Sequence, residues 1–313
     1  MKLSQSHREY GSFRKSILIT MLVYLMSFSQ ADEICRALAL RGGGTKGAYE
    51  VGVLLGFLKH LKPEDMAYDV VVGVSIGAIN GAIMALYEKG DEKSAIAKLV
   101  EMWTTYKSDD FWSFWPYVHL AGGLIYDAFL DSKNMRNVLE ETMKGRTFKR
   151  SFSWQAVDLN TGSVVIFDET VPDELKAAAV LSSASIPGAF SPIEIGELLL
   201  VDGGTFDSLD LAEAIVKCRK KGFKDENIVV DMILCYPGPI GVPHWSYEDA
   251  KWKNSWDLHQ RKNDLKEYYS FQEDVERVMR GFHHIKFRYI VSPSSQIPAA
   301  SVPIYWTPED IQY

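Results

Sequence analysis

Three glycine-rich clusters in this sequence contain the residue types that hydrolysis of an ester requires. They are Gly42-Gly43-Gly44-Thr45-Lys46-Gly47, Gly73-Val74-Ser75-Ile76-Gly77 and Asp202-Gly203-Gly204. The middle cluster fits the G-x-S-x-G pattern, in which glycines allow a sharp turn between a strand and a helix and expose the serine hydroxyl. The outer clusters can supply hydrogen-bond donors for an oxyanion and a base, which are the two things a serine nucleophile needs.

The first cluster is suited to stabilising negative charge. Gly42, Gly43 and Gly44 carry no side chains, so their backbone N–H groups can approach an oxyanion closely, and the helix dipole that follows adds to them. Lys46 either orients this loop, contacts an anionic head group or lies in solvent at the start of the helix. We therefore predict that Ser75 is the nucleophile and that the three glycines form the oxyanion hole.

The predicted base is Asp202, which directly follows the apolar run 198–201 and precedes two glycines that permit close approach. A triad in the α/β-hydrolase order would need a histidine after the acid. The histidines that satisfy this order are His244, His259, His283 and His284. None of them lies in a glycine turn, so the interpretation favours a Ser75–Asp202 dyad and places the histidines at the surface or in the core.

Strand-like and helix-like segments alternate along the chain, which predicts an α/β domain with a largely parallel sheet covered on both faces. The predicted strands are 36–40, 70–72, 153–157, 164–167, 198–201, 228–235 and 287–291, the third and fourth joined as a hairpin through 160–162. The predicted helices are 48–61, 78–86, 95–106, 133–144, 173–181, 211–221 and 256–279. Each glycine cluster begins where a strand ends, so we expect the three clusters to meet at the carboxyl edge of the sheet.

Composition narrows the class of protein. The chain has 313 residues, 47% of them hydrophobic, which is enough for the core of one large domain or at most two small ones. Its net charge is −7 and it has no lysine- or arginine-rich run, so no nucleic-acid partner is expected. Cys35, Cys218 and Cys235 are widely spaced and predict neither a disulfide framework nor a metal site, and Cys235 is expected to be buried.

The first 31 residues are predicted to be a signal peptide. Basic residues precede the apolar segment 17–28, and small residues then lead to a cleavage site after Ala31. The segment is short for a membrane span, although retention as an anchor through 17–28, or burial as a helix, stays open. Residues 32–313 are predicted to form a single domain of a secreted or endomembrane-lumen protein.

Taken together, the clusters resemble the patatin-like phospholipase family. The family pattern has a Gly-Gly-Gly-x-Arg/Lys-Gly loop, a Gly-x-Ser-x-Gly elbow, an Ala-Ser-x-x-x-Pro stretch and an Asp-Gly-Gly/Ala. Here the third element reads Ser182-Ser183-Ala184-Ser185-Ile186-Pro187, and all four occur in the family's order within about 37–207. The chain departs from the family at Arg41, where an acidic residue is common, and at Ser182, which replaces alanine.

The resemblance implies a three-layer α/β/α sandwich and an acyl-enzyme on Ser75 activated by Asp202. It also implies hydrolysis of phospholipids or lysophospholipids at a membrane or micelle surface, with no metal or other cofactor. The supporting positions it implies are Lys46, Gly47, Gly73, Gly77, Pro187, Gly203 and Gly204.

Two other functions fit parts of the sequence. The loop 42–47 also matches the dinucleotide fingerprint G-x-G-x-x-G, with Glu64 or Asp65 near the expected acidic position, but this interpretation leaves two clusters unexplained. A lipid-binding relative without hydrolytic activity is the second alternative. The aromatic cluster 111–117 either packs a loop onto the core or forms a lid or interface-binding patch beside the site.

Overall fold

The structure is a computed structural model, and it describes residues 34–115, 126–236, 246–294, 297 and 307. The strands are β1 (Cys35–Leu40), β2 (Val70–Gly73), β3 (Ser113–Phe114), β4 (Leu130–Asp131), β5 (Ser151–Asp158), β6 (Val164–Asp168), β7 (Ile193–Ile195), β8 (Leu198–Asp202), β9 (Ile228–Ile233) and β10 (Lys286–Val291). The α-helices are α1 (Gly47–His60), α2 (Pro63–Met66), α3 (Ile76–Ala85), α4 (Glu92–Thr105), α5 (Lys133–Met143), α6 (Lys176–Ser182), α7 (Leu211–Lys220), α8 (Tyr247–Lys251) and α9 (Ser255–Gly281).

The central sheet has a parallel body and an antiparallel end. Strands β10, β9, β1, β2 and β5 lie side by side in parallel, and β8 and β7 continue the order β10-β9-β1-β2-β5-β8-β7 in antiparallel fashion. Strand β6 also pairs with β5, through the predicted hairpin. The predicted α/β fold with a largely parallel sheet is confirmed.

Strand β5 pairs with three strands, and this arrangement brings the ends of β2 and β8 together. Strand β6 pairs along Ser153–Val157. Strand β2 ends with Gly73 opposite Trp154, and β8 ends with Asp202 opposite Ala156. Because β6 occupies one edge over residues that also pair with β2 and β8, those two strands must lie end to end along the other edge. Their carboxyl ends therefore face each other about 7 Å apart along β5.

Helices cover both faces of the sheet. Along the central strands, successive side chains point alternately into two hydrophobic cores, one on each face. On β1, Leu38 and Leu40 belong to a core built with α1, α3, α4 and α6. Ala37 and Ala39 of the same strand belong to a second core, built with α7 and the final turns of α9. A strand buried on both faces reads as a continuous apolar run, which explains why the pattern at 36–40 was recognisable.

The structure contains a disulfide, although the cysteine spacing predicted no disulfide framework. Cys35 at the start of β1 and Cys218 on α7 are joined by a disulfide, with their Cα atoms 5.9 Å apart. The two residues are separated by 183 positions, and they meet only because α7 packs on β1. Sequence spacing therefore carried no signal of the pairing. Cys235 is a free, buried thiol.

The predicted signal peptide, including 17–28 and Ala31, lies outside the described residues. No helix in the described ranges has the length and apolar character needed to span a bilayer. The prediction of a single domain over 32–313 stays a prediction.

We expect the Cys35–Cys218 disulfide to stabilise the fold. The double variant Cys35→Ala/Cys218→Ala should lose roughly 2 to 4 kcal/mol of unfolding free energy, because the link constrains a long loop of the unfolded chain. Urea denaturation would measure the loss. Wild-type protein treated with a reductant should denature at a similar midpoint to the variant, and an unchanged midpoint in both would contradict the expectation.

Candidate active site

Ser75 occupies a sharp turn between β2 and α3. It is the non-glycine residue with a positive φ in the described part of the chain, with φ 56° and ψ −124°. Two flanking glycines permit this turn, since a Cβ at Gly73 would overlap the carbonyl of Gly77, and a Cβ at Gly77 would overlap the carbonyl of Leu40. Such a turn aims the hydroxyl away from the sheet, as the G-x-S-x-G pattern predicts.

The hydroxyl of Ser75 is hydrogen-bonded to Asp202. Ser75 Oγ donates to Asp202 Oδ2 at 2.6 Å, although the residues are 127 positions apart. The second carboxylate oxygen, Oδ1, accepts the N–H of Gly204 at 2.7 Å, which fixes the plane of the carboxylate. Both side chains are largely buried, with residue exposures of 7% and 5%. The arrangement can pass the serine proton directly to a carboxylate.

The route by which Asp202 reaches Ser75 differs from the expected one. The sequence pattern predicts that all three clusters lie at the carboxyl edge of parallel strands, yet β8 runs antiparallel to β5. Asp202 pairs with Ala156, two residues beyond the Trp154 that pairs with Gly73, and Ser75 lies two residues beyond Gly73. Ser75 and Asp202 therefore lie at the same position along β5, because the carboxyl ends of β2 and β8 point toward each other.

The segment after α6 holds both partners by their backbones. Ser183 Oγ accepts the N–H of Ser75 at 3.0 Å, and the Ser183 carbonyl accepts the N–H of Gly203 at 3.2 Å. The Ser185 carbonyl accepts the N–H of Asp202 at 2.9 Å. Sequence reasoning named only Pro187 of this segment as supporting, and Pro187 itself is exposed. The serine of the Ala-Ser-x-x-x-Pro pattern was the signal that pointed to Ser183.

The glycine loop lies against Ser75, but its three glycines are not equivalent. The N–H of Gly42 donates to the carbonyl of Ser208 at 2.9 Å, so the prediction that Gly42 is an oxyanion donor needs correction. Gly42 instead gives close packing, because a Cβ there would lie 3.1 Å from the Cβ of Ser75. The N–H groups of Gly43 and Gly44 make no hydrogen bond to other described residues. They are the members of the loop that can receive a developing charge.

Lys46 and Gly47 connect this loop to α1. The ammonium of Lys46 lies 3.4 Å from the centre of the Tyr236 ring, and the guanidinium of Arg41 lies 4.5 Å from the same ring. Such cation–π contacts hold the loop in place, which favours the orienting role of Lys46. The loop also packs on Ser75 through Gly42, and Asp65 pairs with Arg288 at 3.1 Å. Both observations weigh against a dinucleotide site.

Ser75 lines an apolar cavity. Its lining consists mainly of aliphatic and aromatic side chains from α3, α4, α5 and the segment after α6. The lining residues are Gly44, Thr45, Ser75, Ile76, Ile79, Asn80, Leu99, Met102, Trp103, Phe111, Trp112, Met135, Leu139, Ala184, Ile186 and Phe190. A cavity of this composition accepts an alkyl chain and leaves its polar end at the hydroxyl.

Some residues of the aromatic cluster 111–117 pack in the core, as the first interpretation requires, whereas another is exposed, as the second requires. Phe111 and Trp112 are buried and line the cavity, as a packing role requires. Phe114, by contrast, is 45% exposed. Residues 116 and 117 lie outside the described residues.

In the described part of the chain, the site contains neither a histidine nor a cluster of metal-ligating side chains. His283 and His284 are close enough to Asp225 to lower the pKa of its carboxyl, although the ion pair with Arg219 has the larger effect. Asp225 precedes β9, so these histidines lie at the opposite edge of the sheet from Ser75. His244 and the side chain of His259 fall outside the described residues. The described residues contain no cluster of three side chains that could hold a metal ion.

Sequence reasoning missed a buried polar network behind the glycine loop. Glu50 on α1 accepts a hydrogen bond from Asn80 Nδ2 at 2.7 Å, and Asn80 Oδ1 accepts one from Trp103 Nε1 at 3.1 Å. Burial raises the pKa of Glu50 to about 8, against the opposing effect of the Asn80 hydrogen bond. Helical spacing could have revealed Glu50, since it shares the buried stripe of α1 with Gly47, Val51 and Leu54.

Comparison with known proteins gives a family and several relatives. The family model described as patatin-like phospholipase matches residues 38–215. An uncharacterised NTE family protein of Mycobacterium tuberculosis is 30% identical over 178 residues, which cover 56% of this chain and 44% of the relative. A probable lipid hydrolase of Invertebrate iridescent virus 6 is 26% identical over 66% of this chain and 75% of its own length.

A shorter match has higher identity. The cUMP-AMP-activated phospholipase of Escherichia coli is 46% identical over 66 residues, which are 21% of each chain. The matched residues therefore cover less than half of the mycobacterial relative and about a fifth of the Escherichia coli phospholipase.

We expect the Ser183 hydroxyl to be needed for the reactivity of Ser75. Ser183→Ala would leave the N–H of Ser75 buried without its acceptor, and reaction of Ser75 with a serine-directed fluorophosphonate should slow about tenfold or more. Ser182→Ala is the matched control, because Ser182 is equally buried but its hydroxyl donates to Ala179 of its own helix. Equal labelling rates in the two variants would contradict this role.

Proposed function

The chain belongs to the patatin-like phospholipase family, and we propose that it is a lipid acyl-ester hydrolase of the phospholipase A or lysophospholipase type. The observation that carries the proposal is the 2.6 Å hydrogen bond to Asp202 from Ser75, which also lines an apolar cavity. A nucleophile, a base and a place for an alkyl chain meet at one point.

Acylation begins when Ser75 Oγ attacks the ester carbonyl and its proton passes to Asp202 Oδ2. The carbonyl oxygen becomes an oxyanion, which the N–H groups of Gly43 and Gly44 stabilise together with the positive end of α3. The tetrahedral intermediate then collapses and the ester bond breaks. The departing alcohol takes the proton from Asp202, and the acyl group stays on Ser75.

Deacylation repeats these steps with water as the nucleophile. Asp202 accepts a proton from the water as it attacks the acyl-enzyme, and a second oxyanion forms in the same place. Collapse of this intermediate returns the proton to Ser75 Oγ and releases the fatty acid. The N–H of Ser75 takes no part, because Ser183 already accepts it.

The substrate class follows from the cavity and from the relatives. Alkyl chains of a phospholipid or lysophospholipid would bury against Trp103, Phe111 and Met135. Phe206, which is 68% exposed shortly after the Asp202 cluster, supports contact with a membrane or micelle surface. A secreted or lumenal location stays part of the proposal, and the Cys35–Cys218 disulfide supports it because disulfides persist in oxidising compartments.

We expect Ser75→Ala and Asp202→Asn each to reduce fatty-acid release by about a thousandfold or more, since each removes one partner of the dyad. Release from a panel of phospholipids and lysophospholipids would measure this. Asp210→Asn is the control, because it keeps the oxygen that caps α7 and leaves the dyad intact.

Two results would contradict the proposal. Normal turnover in either variant would rule out the dyad. Binding of lipid vesicles by the wild-type protein without release of fatty acid would favour the non-hydrolytic lipid-binding alternative.

A further inference from the structure

Glu50 is a buried carboxyl group to which the reaction above gives no part. It lies on the first turn of α1, directly after the glycine loop, and is 0% exposed. Its Oε2 atom accepts the hydrogen bond from Asn80, whereas its Oε1 atom has no hydrogen-bond partner among the described residues. A buried carboxyl with one satisfied oxygen is expensive as an anion and much less so as a neutral acid.

Asn80 connects Glu50 to the site on two sides. Its Nδ2 donates to the carbonyl of Gly47 at 3.0 Å as well as to Glu50, and its Oδ1 accepts from Trp103. An indole N–H can only donate, so the atom that faces Trp103 must be the oxygen, and the amide has one possible orientation. Asn80 therefore joins the end of the glycine loop to the wall of the cavity.

The surroundings of Glu50 favour its neutral form. The groups that face it are Arg41 at the end of β1, Cys235 after β9 and Asn80 on α3. Burial has the largest effect and raises the pKa of Glu50; it outweighs the hydrogen bond from Asn80 and the smaller contributions of the Cys235 thiol and of the backbone N–H and charge of Arg41, all of which favour ionisation. The Cys235 thiol does not compete for the proton, because burial and the Glu50 charge raise the thiol pKa well above its usual value.

We propose that neutral Glu50 is a positioning residue that, through Asn80, holds Gly47 and Trp103 where the reaction of Ser75 needs them. This inference rests on the function proposed above. Ionisation of Glu50 would place a poorly solvated charge behind the loop. Admission of water or movement of α1 would relieve that charge, and either change displaces the oxyanion donors and the cavity wall.

The consequence is a loss of activity as the pH rises through about 8, the pKa of Glu50. The dyad by itself gives the opposite limb, since a carboxylate base is lost when it is protonated at low pH. An alkaline limb thus separates the effect of Glu50 from that of Asp202.

The test is the rate at which a fluorophosphonate labels Ser75 in the full chain between pH 6 and pH 10. Glu50→Gln keeps an acceptor oxygen for Asn80 without an ionisable group, so it should label within about threefold of wild type at pH 7 and lose the alkaline limb. Glu50→Leu removes the acceptor and should label about tenfold more slowly at every pH. Cys235→Ala should keep an alkaline limb, at the same or a slightly higher pH, because the thiol lowers the pKa of Glu50.

Urea unfolding checks the protonation state independently. The folded pKa of about 8 lies above the ordinary value of 4.5, so stability from neutral Glu50 is complete below 4.5 and is lost as the pH rises to about 8. The stability gap between Glu50→Gln and wild type should widen over this interval and then level off.

Several results overturn the inference. An alkaline limb that persists in Glu50→Gln, a wild-type labelling rate in Glu50→Leu, or a stability gap independent of pH would each do so while leaving the proposed function intact. Failure of the wild-type Ser75 to label at any pH would overturn the proposed function, and this inference with it.

Discussion

The site depends on the way β2 and β8 share one edge of β5. Strand β2 runs along the first half of β5 and β8 runs back along its second half, so the carboxyl end of each strand points at the other. This head-on approach leaves room for one turn from each strand, and it brings Ser75 within 2.6 Å of Asp202. The sheet itself therefore closes the distance between the two residues of the proposed dyad.

Close approach has a cost in backbone strain, which the surrounding segments offset. Ser75 adopts a positive φ that a residue with a side chain rarely tolerates. Its N–H is held by Ser183, and the backbone of Asp202 is held by Ser185. The turn is further confined by Gly77, which packs on the Leu40 carbonyl with no space for a side chain. The strained backbone is thus at Ser75, the proposed nucleophile, and the contacts of its turn hold it in this conformation.

Much of this arrangement could be predicted from the sequence, for identifiable reasons. The long helices were predicted because their apolar residues recur at helical spacing. The buried strands were predicted because they are continuous apolar runs, as β1 illustrates. The helix 173–181 was predicted to start three residues before α6 does, and short elements such as β3 and β7 were not predicted, because two or three residues contain no full period. The pairing of Ser75 with Asp202 was expected, but from parallel strand ends rather than from an antiparallel β8.

Two other features could not be predicted from the sequence, because they depend on how distant segments pack together. The Cys35–Cys218 disulfide depends on how α7 packs on β1, and the hydrogen bond that occupies the Gly42 N–H depends on where Ser208 returns to the loop. The most direct test of an acyl-enzyme on Ser75 is mass spectrometry of protein quenched in acid during turnover of a lysophospholipid with a deuterated acyl chain. We expect the labelled acyl group on the peptide that contains Ser75, whereas an acyl group on another residue, or fatty-acid release without any acyl-enzyme, would contradict the proposed mechanism.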